Sequence, residues 1–404
     1  MKYRFDAIII GAGASGLICA VAAKELHPEL RVAIIEKNDR VGKKLLATGN
    51  GRCNLTNTDI DSKHYVGSFR PQTEKLFAHR DSAFLTEYFS KLGLLTVADA
   101  EGRVYSYSKQ ASSVLDALRF GCERLGVEMF CGETICSLKK KGEGFSIRTK
   151  EHDFFCGKLV LACGSKAAPK LGGSAAGADY LKNLGHSVIP FSPALCPLSV
   201  RSDLIRSLKG LRAGGAVSLI RGSQTICTER GEIQFTEGAL SGICVFDLSL
   251  YAKQGDRIAA NFFPDISDKE LYSILNRNKS LFSSLPSDNL MTGLLQKRLA
   301  QAILKSAGLR DFSKKCSELT KNELTRIAKQ CKSMEFEVSG KAGFEQAQCA
   351  LGGVIGSEID ETTMMSKRVK NLFVCGEAID LCGECGGFNL HFAFVSGITA
   401  GENL

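Results

Sequence analysis

Asp6-Ala-Ile-Ile-Ile-Gly11-Ala-Gly13-Ala14-Ser15-Gly16 opens the chain, and Arg31-Val-Ala-Ile-Ile-Glu36 follows it. Residues 4–10 predict a short buried strand. Residues 14–26 predict a helix with Leu17, Ala20, Val21, Ala23 and Leu26 on its inner side. Gly11 permits a tight turn, Gly13 lets the backbone approach a pyrophosphate, and Gly16 lets the helix pack closely on the sheet. Ala14 and Ser15 complete the turn, and the helix start offers free N–H groups to the phosphates. Glu36 stands 20 residues after Gly16, where a ribose hydroxyl needs an acceptor. The strand–turn–helix–strand order predicts a Rossmann-like α/β domain with a bound dinucleotide. The alternative is a glycine-rich turn that binds nothing.

The chain has 404 residues, enough for about two to three domains. Hydrophobic residues at 44% and charged residues at 24% place it among ordinary globular proteins. No window reaches the roughly 18 apolar residues of a membrane span. The N-terminal apolar run passes straight into the glycine turn, so it does not read as a signal peptide. Net charge is +9. The excess is scattered, and Lys139-Lys-Lys141 falls in an expected hairpin turn before Gly142. Mild basicity favours anionic cofactors or substrates, but no basic stripe with interleaved aromatics argues for nucleic acid as a partner.

The sixteen cysteines lack the spacing of a secreted disulfide scaffold. Many sit in apolar runs as small hydrophobes, which fits a reducing cytoplasm. Cys382-Gly-Glu-Cys385 is the single CxxC. It lacks the second ligand pair of a zinc site, so no metal is expected. It reads either as a redox pair or as glycine-rich packing against a cofactor.

Residues 37–60 read as a long loop, and 72–91 and 109–124 as helices. Residues 127–162 read as short strands, ending in Lys158-Leu-Val-Leu-Ala162-Cys-Gly164. Pro190, Pro193 and Pro197 mark a boundary. The stretches that follow are short, β-branched and separated by glycines. Residues 267–331 read as helical, with Asp268 as the first cap. Val369-Lys-Asn-Leu-Phe-Val-Cys375-Gly376-Glu377 is a further strand, and 389–403 a final helix. This predicts a discontinuous cofactor domain (1–190 plus 357–404), a β-barrel-like insert (191–266 plus 332–356) and a helical insert (267–331).

Three features favour FAD over NAD. Ala162-Cys-Gly164 resembles the Ala-Thr-Gly strand end of two-dinucleotide-binding flavoproteins. Cys375-Gly376-Glu377 resembles their Gly-Asp element, whose acid hydrogen-bonds the ribityl chain. The helix near Asn389 then points its N-terminus at the flavin ring, where donors stabilise negative charge. Gly172-Gly-Ser-Ala-Ala-Gly177 has the wrong spacing for a second dinucleotide turn.

Thr48-Gly49-Asn50-Gly51-Arg52-Cys53-Asn54-Leu-Thr-Asn57 resembles the signature of a family of FAD-dependent proteins described as bile-acid-reductase-like and aminoacetone-oxidase-like. Gly231 to Gly242, Gly352-Gly353-Val, Thr363 to Lys367, and Gly376-Glu377 through Gly386-Gly387-Phe-Asn389-Leu390 agree with it. The resemblance spans nearly the whole chain. It implies an FAD domain, a small β-barrel, a helical insert and a non-covalent FAD. Cys163 replaces the Thr of the Ala-Thr-Gly element, and His391-Phe392 replace the family's common Gln-Trp.

The expected chemistry is NAD(P)H-driven hydride transfer through flavin N5 to an activated, enone-like C=C of a small molecule. The expected cofactor contacts are Gly11, Gly13, Ala14, Ser15, Gly16, Glu36, Thr48 to Asn54, Ile135, Ala162, Gly164, Gly376, Glu377, Gly387, Asn389 and Leu390. Lys37, Lys43 and Lys44 read as phosphate partners or as solvated lysines. Arg52 is a candidate for substrate or flavin charge, with a structural arginine bonding loop carbonyls as its alternative. His391 is a candidate proton donor, since imidazole titrates near neutrality; a packed polar residue is its alternative. Tyr105 and Tyr107 are further donors on the same footing. Cys53 reads as a packed thiol rather than a redox group. Competing functions are an FAD-dependent oxidase of small amines, a flavin-dependent RNA-modifying or RNA-binding protein, and a flavin-holding redox sensor.

Overall fold

A computed structural model describes residues 1–404. The chain divides into two units, Met1–Ala194 with Phe344–Leu404, and Leu195–Gly343.

The first unit is built on a seven-stranded sheet. Its order is Glu128–Cys131, Val32–Glu36, Lys2–Ile10, Asp153–Leu161, Gly144–Thr149, Ile135–Lys141, with Leu372–Val374 also pairing Asp153–Leu161. The four pairings that involve Lys2–Ile10, Val32–Glu36, Glu128–Cys131 and Leu372–Val374 are parallel, and the hairpin strands are antiparallel. Ile8 pairs Ala33 on one side and Leu159 on the other. Strands covered on both faces read as continuous apolar runs, which is why Ala-Ile-Ile-Ile and Val-Ala-Ile-Ile show no alternation.

Two helices lie together in this unit. Ala14–Leu26 is buried from Ser15 to Ala23, and Phe388–Glu402 from His391 to Gly401. Their backbones meet at two glycines. A Cβ on Gly397 would lie 2.4 Å from the Ser15 carbonyl, and one on Gly401 would lie 2.4 Å from the Cys19 carbonyl. The expected helix over 72–91 is two helices, Arg70–Phe77 and Ser82–Lys91; Asp81 interrupts them by accepting the Phe84 N–H at 2.9 Å. The expected loop 37–60 contains the short helix Lys43–Ala47 and a tight turn over Thr48–Gly51.

The second unit holds a closed barrel of six strands, in the order Leu198–Arg201, Ala239–Ser241, Gln224–Phe235, Arg212–Arg221, Arg257–Asn261, Met334–Lys341. Helices Asp268–Leu281, Lys297–Ser306 and Lys321–Lys332 share its core. Leu271, Leu275, Ile303 and Ile327 pack in one cluster with Val217, Leu219, Phe235 and Phe336. The helical stretch 267–331 is therefore not a third body, because its apolar faces have no core of their own to cover. Ser267, not Asp268, caps the first of these helices, by accepting the Glu270 N–H at 3.2 Å. Strand Cys349–Val354, placed with the barrel by the sequence, instead pairs Val188–Ala194 in the first unit.

Candidate functional site

Three parallel strands stop together at their carboxyl ends, and each passes into a glycine. The Gly11 N–H donates to the Ile35 carbonyl at 2.9 Å, Ala162 to Ile10 at 2.9 Å, and Cys375 to Leu161 at 3.2 Å. Gly11, Gly164 and Gly376 are thereby gathered at one edge, the place where open α/β sheets bind ligands. Gly11 has φ +107°, and a Cβ there would lie 2.4 Å from the Ala162 carbonyl. A Cβ on Gly16 would lie 1.9 Å from the Gly11 carbonyl, so helix and turn touch without room for a side chain. Gly13 is different, because a Cβ there would meet nothing within 4 Å. It caps helix Ala14–Leu26 with no side-chain acceptor, leaving the first N–H groups without a side-chain partner. Ala14 is half-buried at this end. Ser15 is buried, and a Cβ on Gly376 would lie 2.6 Å from its hydroxyl, so Ser15 packs against the Gly376 turn.

Glu36 is fixed by two main-chain donors. Ala12 donates to Oε2 and Asn38 to Oε1, each at 2.8 Å. The Gly132 and Glu133 N–H groups bond the Asn38 and Glu36 carbonyls, and Ile135, two residues on, is half-buried. Lys37 is exposed, and Lys43 pairs with Asp39 at 2.6 Å. Lys44 instead pairs with Glu377 at 2.5 Å, and the Ser165 hydroxyl donates to the other Glu377 oxygen at 3.2 Å. Burial opposes the Lys44 charge, but the Glu377 carboxylate outweighs it and holds its pKa above the usual lysine value.

The Thr48–Asn54 segment is a run of left-handed backbone. Gly49, Asn50, Gly51 and Cys53 have φ of +56°, +54°, +81° and +56°. Two of these are not glycine, a conformation that proteins keep where surrounding structure demands it. Thr48 holds the turn by donating to the Leu45 carbonyl at 2.6 Å. Arg52 is exposed, donates from Nε to the Gly49 carbonyl at 3.2 Å, and lies 5.1 Å over the Tyr105 ring. Cys53 is fully buried, and burial pushes its thiol up to about 12, so it carries no thiolate at neutral pH. Asn54 Oδ1 is buried without a hydrogen-bond partner.

Gly387 begins the second helix end, with φ +106° and no side-chain cap. A Cβ there would lie 2.5 Å from the Thr56 carbonyl and 2.8 Å from Asn54 Oδ1. The orphaned Asn54 acceptor therefore sits against the start of helix Phe388–Glu402. Asn389 spends its amide locally: it accepts from the Gly383 N–H at 2.9 Å and donates to the Gly383 carbonyl at 2.7 Å. Leu390 is half-buried beside it. His391 does not serve as the expected proton donor. It is fully buried, shares a 2.8 Å hydrogen bond with the Thr56 hydroxyl through Nδ1, and meets the Phe77 ring edge-on. Burial pulls its pKa down to about 3, so it is a neutral packed imidazole.

Sequence reading missed the groups that hold these pieces in place. Ser396, one helical layer below, accepts the Gly376 N–H at 3.0 Å. Asp380 is buried and accepts from Ser68 at 2.7 Å and Gly352 at 2.8 Å. No motif marks them, since they act across long sequence separations.

A model of the HI0933-like protein Rossmann domain matches residues 5–403. The chain belongs to that family. It is an FAD-dependent oxidoreductase with the family's Rossmann-type fold. A 3-dehydro-bile acid delta(4,6)-reductase of Clostridium scindens is 33% identical over 403 residues, covering 98% of this chain and 97% of the relative. A ribosomal RNA dihydrouridine synthase of Escherichia coli is 28% identical over 401 residues, covering 99% and 98%. Among solved structures, a 3-ketosteroid delta1-dehydrogenase of Sterolibacterium denitrificans aligns with TM-score 0.52 at 13% identity over 98% of both chains, a likeness of fold. No helix is long and apolar enough to cross a membrane.

The site's open groups suit FAD. The space over Gly13 and the uncapped helix start would suit a pyrophosphate, and the unpartnered Asn54 Oδ1 would suit a hydrogen-bond donor of the cofactor.

Proposed function

We propose that this protein reduces a carbon–carbon double bond conjugated to a carbonyl in a small molecule, with NAD(P)H as reductant. The observation that carries this is the kinship of the whole chain to two enzymes whose names share that operation. A Δ4,6 bond pair in a 3-keto bile acid is conjugated to its ketone, and making dihydrouridine saturates a uracil bond conjugated to a carbonyl.

Bound non-covalently, FAD supplies two-electron hydride chemistry. The chain's residues supply position and charge. Gly11, Gly13, Ala14, Ser15 and Gly16 hold the pyrophosphate, and Glu36 and Ile135 the adenosine end. Ala162, Gly164, Gly376 and Glu377 line the middle, with Lys44 fixing the Glu377 carboxylate. Thr48 to Arg52, Asn54, Gly387, Asn389 and Leu390 border the ring, with Cys53 sealed behind them, and the free N–H groups of the second helix favour negative charge there. Arg52 stands at the rim with most of its guanidinium free for an anionic group. Since His391 is sealed, the proton delivered to substrate comes from water or from another donor at the cleft. With one glycine fingerprint in the chain, the nicotinamide visits the substrate cleft itself.

The test is an anaerobic visible spectrum before and after NADH, then NADPH, followed by a panel of cyclic enones. Bleaching of the flavin band and enone-dependent NAD(P)H oxidation support the reading; a band that persists with both nucleotides overturns it. An RNA substrate is the second reading, favoured by the dihydrouridine synthase relatives and the +9 charge. It requires salt-sensitive RNA binding and uridine reduction in RNA, not only in free enones.

A further inference from the structure

The turn that leads into helix Phe388–Glu402 is tied to distant segments mostly by neutral hydrogen bonds. Asn389 holds both main-chain groups of Gly383. Asn57 Nδ2 donates to the Gly386 carbonyl at 2.9 Å, and the Tyr65 hydroxyl donates to the Phe388 carbonyl at 2.9 Å.

His64 is the charged tie. Its ring lies on the Phe388 ring, with centroids 4.3 Å apart and 20° between planes. Nδ1 is 2.7 Å from Glu384 Oε2, and Nε2 is 3.0 Å from Asp59 Oδ2. The Glu384 N–H also donates to the His64 carbonyl at 2.9 Å, so ring and carboxylate stay together. Carboxylates on both nitrogens require both to donate, and only the imidazolium does that. The His64 side chain keeps 17% exposure and Glu384 23%, so the pair is sheltered yet reachable by solvent protons. The other charges on this loop are Asp61, which accepts the Lys63 N–H, and Lys63, which reaches Asp59 at 3.2 Å. Arg70, following on, donates to the Ser62 carbonyl.

We propose that His64 is a positioning residue: as an imidazolium it binds Asp59 to Glu384 across Phe388, and so sets the Gly386–Gly387 turn from which the helix offers its first N–H groups to FAD. This rests on the reading of that helix end as part of the cofactor site. When the proton leaves, one ring nitrogen presents a lone pair to a carboxylate, and the tie between the 59–64 loop and the turn is weakened to its neutral hydrogen bonds. The Glu384 hydrogen bond raises the His64 pKa above 6.5, outweighing burial, and Asp59 adds to it. A raised folded-state pKa means that the charged part of the tie is complete below pH 6.5 and is lost as pH climbs through the raised value.

The experiment measures FAD affinity by flavin fluorescence, and thermal midpoint with and without FAD, from pH 6 to about 9, on the full chain. The wild type is expected to lose FAD affinity about three- to tenfold across this range, tenfold being one unit of pKa linkage. His64→Gln is expected to bind FAD more weakly at the acid end, with a flat profile; Glu384→Gln should match it. Lys63→Met should keep the wild-type slope. A flat wild-type profile, or a wild-type slope surviving in His64→Gln, overturns the proposal. If His64→Gln does not fold, Glu384→Gln decides on the same criterion. A chain that binds no FAD at any pH overturns the cofactor reading instead, and the thermal midpoint without FAD then decides whether the tie exists.

Discussion

Helices Ala14–Leu26 and Phe388–Glu402 both begin on a glycine, lack a side-chain cap and bury most of their length. They differ in how their free ends are held. The first is placed by its own sequence: strand, three glycines and helix are contiguous, and each glycine answers a local steric need. The second is placed from outside, by Asn57, Tyr65 and His64, the last through Glu384 of the turn itself. One end is a motif and the other is an assembly. Substitutions at the two ends should therefore fail in different ways.

The largest effect is expected from Gly16→Ala. Its Cβ would overlap the Gly11 carbonyl at 1.9 Å, and neither backbone can move without opening the sheet edge. We expect a loss of ~4 kcal/mol or more, and a thermal melt of the purified chain would show it. A near-normal melt would mean that the turn is loose. Gly387→Ala should cost somewhat less, ~2–3 kcal/mol, through its φ of +106° and the contacts with Thr56 and Asn54. Because that end is an assembly, we expect FAD affinity to fall before the fold is lost. Equal losses of both would break the distinction.

His391 separates the two ends by pH. A folded pKa near 3 against 6.5 unfolded means that the neutral ring stabilises the fold above pH 6.5. That stability is lost as pH falls below 6.5, at up to ~1.4 kcal/mol per pH unit. His391→Gln should melt less steeply with acid than the wild type. The turnover-pH profile near neutrality should be unchanged in shape, and a lost limb there would restore His391 as an acid. Lys44→Met ranks next. It leaves the Glu377 carboxylate without its cation, and since both groups are partly exposed the cost to folding is ~1–2 kcal/mol. FAD binding should weaken by about tenfold, read by equilibrium dialysis.

The legible part of this molecule is the part where chemistry is local. The Gly11–Gly16 turn, the strands beside it and Glu36 follow from residue spacing, because close approach and continuous apolar runs leave marks in adjacent residues. The second helix was legible as an element, and the family resemblance marked its start as a site wall, but its contact with the first helix was not legible. Gly397 and Gly401 let it touch the first helix, yet they look like ordinary helical glycines until the Ser15 and Cys19 carbonyls are known. His391 carried the chemistry of a proton donor in sequence, and only burial shows it to be neutral. Lys44 and Glu377 are 333 residues apart, so nothing in either neighbourhood announces the pair. The boundary at the barrel was misplaced for the same reason. Cys349–Val354 has the composition of a barrel strand, and only its partner Val188–Ala194 assigns it to the first unit.

The smallest effect should come from Cys53→Ser. A cysteine in a flavin signature invites a redox role, but this one is sealed, and its thiol stays protonated at neutral pH. Its left-handed φ of +56° strains serine and cysteine alike, so backbone cost cancels between them. What remains is a hydroxyl in place of a less polar thiol, worth ~1 kcal/mol of stability if Thr48 stays its partner. Turnover and the rate of flavin reduction should hold within about twofold, because a residue that only packs changes the barrier by under ~0.5 kcal/mol. A hundredfold slower reduction with an intact melt would instead mean that the thiol exchanges electrons, and the turn would then have to open to expose it.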